Sequence, residues 1–110
     1  MENLGGLTQR DIETLLRIFS KFKEVKSVYL YGSRAKRTHK FGSDIDFAIM
    51  NEGVSDRTIS DIREEMQDSD LPYFVDIINF STLNHKELTE QIKRVGIPFY
   101  TCNSCLLQET

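Results

Sequence analysis

Two histidines and two cysteines are all the imidazole and thiolate metal ligands in this chain of 110 residues, and that scarcity closes several routes. Cys102 and Cys105 form one C-x-x-C near the C-terminus. A zinc site needs two further ligands, and only His39 and His85 remain, at no recognisable spacing. A redox C-x-x-C normally follows a strand and opens a helix, which this tail lacks, so the thiols read as reduced and incidental. No apolar run reaches membrane-spanning length and no signal-peptide pattern opens the chain, so the expected address is the cytoplasm, with no membrane partner. Positive charge is not in excess either: 14 Lys and Arg stand against 17 Asp and Glu, a net charge of −3. Tight nucleic-acid binders bring surplus cations to release counterions from phosphates, so no direct nucleic-acid binding is expected. Internal repeats and low-complexity tracts are missing as well.

What remains is an ordinary globular composition, 39% hydrophobic, sized for one core. The expected organisation is a single domain over 1–110 with a loose N-terminus at 1–6 and a tail from about 101. Thr8 reads as an N-cap with Asp11 three residues on, and Ile12, Leu15, Leu16, Phe19 and Phe22 recur at helical spacing. The β-prone run Ser27–Tyr31 gives a first strand and Ile45–Met50 a second. Ser55 caps a helix carrying Ile59, Ile62 and Met66, which stops near Pro72. Tyr73–Phe80 gives a third strand, and Asn84–Val95 a last helix with Gly96 as its C′ residue. Ile97 to Tyr100 is apolar and either packs back on the sheet or meets a partner. The order is that of an α/β domain with a small mixed sheet flanked by helices.

The informative stretch is Tyr31–Met50, YGSRAKRTHKFGSDIDFAIM. Ten residues separate Ser33 from Asp44, enough for the chain to leave a strand, make a short helix, turn at Gly42 and re-enter the sheet. Gly32 lets the backbone approach a ligand closely, and a helix starting after it offers free N–H groups to a phosphate, with Ser33 adding a hydroxyl. Asp44 and Asp46 are two apart and share one strand face, while Ile45, Phe47 and Ile49 take the other. At roughly 5 to 7 Å two such charges repel by about 2 to 3 kcal/mol at an effective dielectric near 20. A bound cation removes that cost, and such oxygen ligands suit Mg²⁺. Arg34, Lys36, Arg37 and Lys40 form a basic run with no acid among them; it serves as a solvated loop or, at Arg34 above all, helps hold a triphosphate.

A third carboxylate, Asp76, lies inside the apolar run YFVDIINF, with Phe74 and Ile78 as its same-face neighbours. It is expected to be flanked by core residues, where a charge needs a partner or a metal. The strand, helix, strand succession from Ile45 to Phe80 suits a parallel crossover that sets Asp46 beside Asp76.

Gly-Ser, ten residues, Asp-x-Asp and a later strand Asp together resemble the nucleotidyltransferases of the DNA polymerase β superfamily. More closely, the chain resembles a minimal nucleotidyltransferase (MNT), the small partner of HEPN–MNT two-gene modules, over nearly its whole length. The resemblance implies the polymerase β-like nucleotidyltransferase fold and transfer of AMP from ATP to a hydroxyl. It implies Asp44, Asp46 and Asp76 as catalytic residues and as ligands of two Mg²⁺ ions, or Mn²⁺, with Gly32, Ser33 and Arg34 binding the nucleotide. It further implies an antitoxin whose partner is a helical HEPN protein, silenced by AMP on a tyrosine. The alternative is a non-catalytic subunit that neutralises its partner by masking, which a degraded Asp-x-Asp or Gly-Ser would favour; both pairs are intact. An EF-hand on Asp44 fails because its next ligand position holds Ala48 and its glycine position Ile49.

Overall fold

The structure is a computed structural model that describes residues 6–36 and 44–102, the side chain of Ser33 excepted. The expected turn at Gly42, the basic residues Arg37 and Lys40, His39 and Cys105 lie outside the described residues, as do positions 1–5 of the loose N-terminus and 103–110 of the tail.

Helix α1 spans Gln9–Ser20, and its entry is fixed by a reciprocal pair of bonds: Thr8 Oγ1 accepts from Asp11 N at 3.1 Å, and Asp11 Oδ2 accepts from Thr8 N at 3.2 Å. Its last turn tightens, with Lys21 N donating to Ile18 O and Phe22 N to Phe19 O, so it closes before the Phe22 that the apolar spacing suggested. Strand β1 (Ser27–Tyr31) leads into the one-turn helix α2 (Ser33–Lys36). Strand β2 (Ile45–Ile49), helix α3 (Asp56–Asp68) and strand β3 (Val75–Asn79) form the crossover unit, and β3 runs parallel to β2. Helix α4 (Lys86–Val95) follows, capped by His85 Nδ1 accepting from Leu88 N at 3.1 Å, a cap that the sequence reading missed.

A fourth strand, β4 (Ile97–Thr101), then pairs antiparallel with β1, giving the sheet order β3-β2-β1-β4. The apolar segment after α4 therefore packs back on the sheet. Pro98 cannot donate a ladder bond, and it stands on an edge strand beside a register shift. Pairing extends past β4, with Cys102 N donating to Lys26 O at 2.9 Å.

Alternation sorts the sheet into two faces. Val28, Leu30, Phe47, Ile49 and Ile77 meet Leu15, Phe19, Ile59 and Ile62 of α1 and α3 in the main core. Phe47 anchors it, with Phe19 edge-on at 5.1 Å and Phe99 of β4 at 4.8 Å, contacts each adding about 0.5–1.5 kcal/mol beyond area burial. On the opposite face Tyr31 and Ala48 pack with Ile92 of α4 in a smaller cluster bordered by Ile78 and Leu88. That cluster covers only part of its face and leaves the starts of β2 and β3 open.

Gly96 ends α4 with φ −64°, in ordinary extended backbone, so it does not supply the left-handed turn expected of a C′ glycine. Space makes it necessary: a Cβ there would press on Ile92 O and stand 3.1 Å from Tyr29 Cδ2. Gly96→Ala is therefore expected to cost about 1–3 kcal/mol by overpacking, read as a lower urea midpoint, with nucleotide affinity unchanged.

Candidate active site

Register fixes the site. Tyr31, the last residue of β1, pairs with Asp46, and Asp46 pairs with Asp76, so one row crosses three strands. Strands sit about 4.8 Å apart, so the two carboxylates project side by side from neighbouring strands. Asp44 stands just before β2, exposed, with Asp46 half-buried behind it. A cavity of about 250 Å³ is lined by Asp44, Asp46, Arg63, Gln67, Phe74, Val75 and Asp76.

The Gly-Ser turn reaches the same place from β1. Gly32 has φ +79°, a conformation that side chains disfavour, and a Cβ added to it would lie 2.5 Å from Asp46 Oδ2. The backbone after β1 thus passes directly over the Asp46 carboxylate, and α2 starts there, with Lys36 N donating to Gly32 O at 3.1 Å. Ser33 opens that turn, and its side chain lies outside the described residues. The two halves of the motif therefore meet, as the ten-residue spacing predicts.

Arg34 is held differently from the expected loop cation. It is 2% exposed, its guanidinium stacks 4.6 Å from the Tyr73 ring centroid, and its Nε donates to Asp44 O at 3.3 Å. Tyr73 in turn has its pKa raised by burial and by the nearby Asp11 carboxylate, with Arg34 pulling the other way. A partly buried chain of polar groups so ties the cap of α1 to the start of β2, and Arg34 braces the backbone at Asp44.

Asp76 corrects the sequence reading. It is not buried among core residues: its side chain is 55% exposed, and its neighbour Phe74 is 69% exposed. Strand β3 is an edge strand whose main-core face, at Ile77, is fully covered, while the face that carries Asp76 is open where the strand begins. The expectation that core residues flank Asp76 fails because only the Ile77 face of this apolar run is covered. Arg63 of α3, which no sequence signal marked, donates to Ile77 O at 2.7 Å and lies 3.9 Å from Asp76 Oδ1.

The electrostatics are those of crowded acids. Burial raises the pKa of Asp46 to about 6, the Asp76 and Asp44 carboxylates push it further in the same direction, and Arg34 offsets part of this. Burial and the carboxylates of Asp46 and Asp76 also drive Tyr31 far above the ordinary phenol range, so its hydroxyl stays neutral. Among the described residues no three acidic, His or Cys side chains converge into a ready-made metal cage. Two half-exposed carboxylates beside a third still fit a hard cation that keeps several waters and takes its remaining oxygens from substrate phosphates. A second hollow of about 330 Å³ lies between α1 and α3, spanned by the Lys21–Glu65 ion pair at 3.1 Å, and holds no such cluster.

Comparison with known proteins supplies the context. Residues 13–104 match the family described as "Polymerase beta, Nucleotidyltransferase". Over 72 residues, 64% of this chain, the sequence is 36% identical to the Haemophilus influenzae protein named "Probable protein adenylyltransferase MntA", and it spans 62% of that relative's length. A crystal structure of a toxin–antitoxin with AMP-PNP aligns over 86% of this chain and 76% of the other, with TM-score 0.69 and 18% identity. A complex of a tri-AMPylated Shewanella oneidensis HEPN toxin with an MNT antitoxin aligns over 90% of this chain and 74% of the other, with TM-score 0.58 and 19% identity. At such identities these structures establish a shared fold. Among the described residues no helix is long and apolar enough to cross a membrane.

The raised pKa of Asp46 makes stability fall with pH. A proton bound more tightly in the folded than the unfolded state contributes fully below the unfolded value of 3.8, and that contribution is lost as pH rises through about 6. With the group half-exposed, the loss is on the order of 1 kcal/mol. In metal-free urea titrations from pH 4 to 7, the stability of Asp46→Asn relative to wild type is expected to grow across that window; a constant difference would contradict the assigned electrostatics.

Proposed function

Since the chain belongs to the Polymerase beta nucleotidyltransferase family, we propose that it is a Mg²⁺-dependent adenylyltransferase that moves AMP from ATP to a tyrosine hydroxyl on a HEPN toxin, and so acts as the antitoxin of a HEPN–MNT pair. The relative named as an adenylyltransferase and the AMP-bearing toxin held by an MNT antitoxin support this reading. One observation carries it: the row Tyr31, Asp46, Asp76 brings two carboxylates, with Asp44 lining the same cavity, to the point where the Gly32 backbone arrives.

The roles follow from position. The open backbone at Gly32 and Ser33 holds the outer phosphates, where a side chain at position 32 would collide with Asp46. Asp44, Asp46 and Asp76 would hold the magnesium ions. When bound, the ions supply charge stabilisation on the attacking and leaving oxygens of an in-line displacement. Arg34 lends its positive charge from behind Asp46 and keeps Asp44 in register. In the reaction the acceptor oxygen bonds to the α-phosphorus, the bond to the β-phosphate oxygen breaks, pyrophosphate leaves and the hydroxyl proton passes to Asp76. The half-exposure of Asp76 suits that last role, since an acceptor must reach it from outside the fold.

The test is an intact-mass measurement. The chain is incubated with ATP and Mg²⁺, alone and with its co-encoded HEPN protein. One or more AMP units on the partner, at least a hundredfold fewer with Asp44→Asn, is the expected outcome. A partner left unmodified yet inhibited, by wild type and variant alike, would establish masking instead.

A further inference from the structure

Phe74 is the one large hydrophobic side chain among the described residues that stands exposed, at 69%. It sits at the junction of two hollows. The carboxylate cavity, about 250 Å³, shares Gln67, Phe74 and Val75 with a neighbouring one of about 180 Å³ that continues past Met66, Leu71 and Tyr73. The result is one groove, acidic at the end that holds Asp44, Asp46 and Asp76 and mixed at the other, where Leu71 and Tyr73 line it without a charged side chain, with Phe74 along its course. Ordinary packing does not account for it, since Phe74 belongs to neither core cluster.

Its occupant follows from the direction of the reaction. In an in-line displacement the attacking oxygen and the departing pyrophosphate lie on opposite sides of the α-phosphorus. Gly32 lies at the end of β1 and Asp76 at the start of β3, with β2 between them, a separation of about 10 Å across the sheet. If the outer phosphates rest at Gly32, the attacking hydroxyl comes from beyond β3, where the groove runs.

We infer that the groove along Gln67, Phe74, Leu71 and Tyr73 is the docking seat of the acceptor polypeptide: an apolar, aromatic-bearing segment of the partner lies over Phe74 and delivers its hydroxyl to Asp76. This rests on the adenylyltransferase reading above. Aromatic side chains, Phe among them, are enriched in the cores of protein–protein interfaces, where a ring with few rotatable bonds offers large contact area at small entropic cost. Phe74 is then a specificity-determining residue that contacts the partner and leaves the nucleotide alone. Arg63, anchored on Ile77 O, borders the acidic end of the groove, where a neutral segment is accommodated more readily than an acidic one.

The experiment compares wild type with Phe74→Ala and with Gln67→Arg, an exposed helix position whose enlargement narrows the same groove. Calorimetry measures the affinity of each full-length chain for Mg²⁺ with AMP-PNP and, separately, for the co-encoded HEPN protein. Both variants are expected to bind the partner at least tenfold more weakly while AMP-PNP affinity stays within twofold. Unchanged partner affinity in both variants overturns the proposal, as does a wild type that does not bind the partner. An AMP-PNP affinity that falls in step with partner affinity also overturns it and assigns Phe74 to the adenine. If wild type binds the partner but adds no AMP to it, the adenylyltransferase reading fails on its own, and the affinities still decide the groove.

Discussion

The structure depends on one contact: the Asp46 carboxylate lies against the bare backbone of Gly32. The backbone there has φ +79°, and a single methyl group at position 32 would come within 2.5 Å of Asp46 Oδ2. Everything that makes the site follows from keeping that approach open. The β1 end must pair with the β2 start, Tyr31 to Asp46, so that the turn after β1 crosses above the carboxylate. Parallel pairing of β2 with β3 then aligns Asp76 on the far side. The antiparallel hairpin and the parallel crossover are two halves of a frame around a single acidic side chain.

That frame holds charges of one sign close together, and the chain offsets only part of the repulsion itself. Arg34 is buried beneath Tyr73 with its charge felt at Asp46, and Arg63 approaches Asp76 from α3 at 3.9 Å. Neither neutralises the row, and Asp46 remains an acid with a pKa of about 6. Such repulsion is what a bound cation would relieve. The main core, centred on Phe19 and Phe47, provides the rigidity that keeps the acids in place.

Much of this was legible in the sequence, because its determinants are local. Thr8 with Asp11, the alternation Ile45, Phe47, Ile49 and the ten residues from Ser33 to Asp44 each act over one turn or one strand. What stayed hidden depended on which strand lies at an edge. Asp76 and Phe74 sit in a run as apolar as any core strand, yet β3 is the last strand of the sheet and one of its faces opens to solvent. Ile97–Thr101 carries a proline and reads poorly as a strand, although an edge position tolerates it. Arg34 stood out from the basic run as a candidate triphosphate ligand, but its burial was not legible, because it depends on Tyr73, which is distant in sequence and adjacent only once folded. Gly96 marked a helix end for the expected reason of position, while the actual requirement, clearance from Ile92 and Tyr29, is tertiary.

The central claim is that Asp44, Asp46 and Asp76 act as one cation-binding unit completed by nucleotide. The most direct measurement is a crystal structure with Mn²⁺ and AMP-PNP, with the ions located by anomalous scattering. The account predicts two anomalous peaks about 3.5 to 4 Å apart, at least one shared by Asp44 and Asp46 and one touching Asp76, with the outer phosphates against the Gly32 backbone. Nucleotide bound elsewhere, or manganese peaks that leave Asp46 and Asp76 without a ligand role, would contradict it.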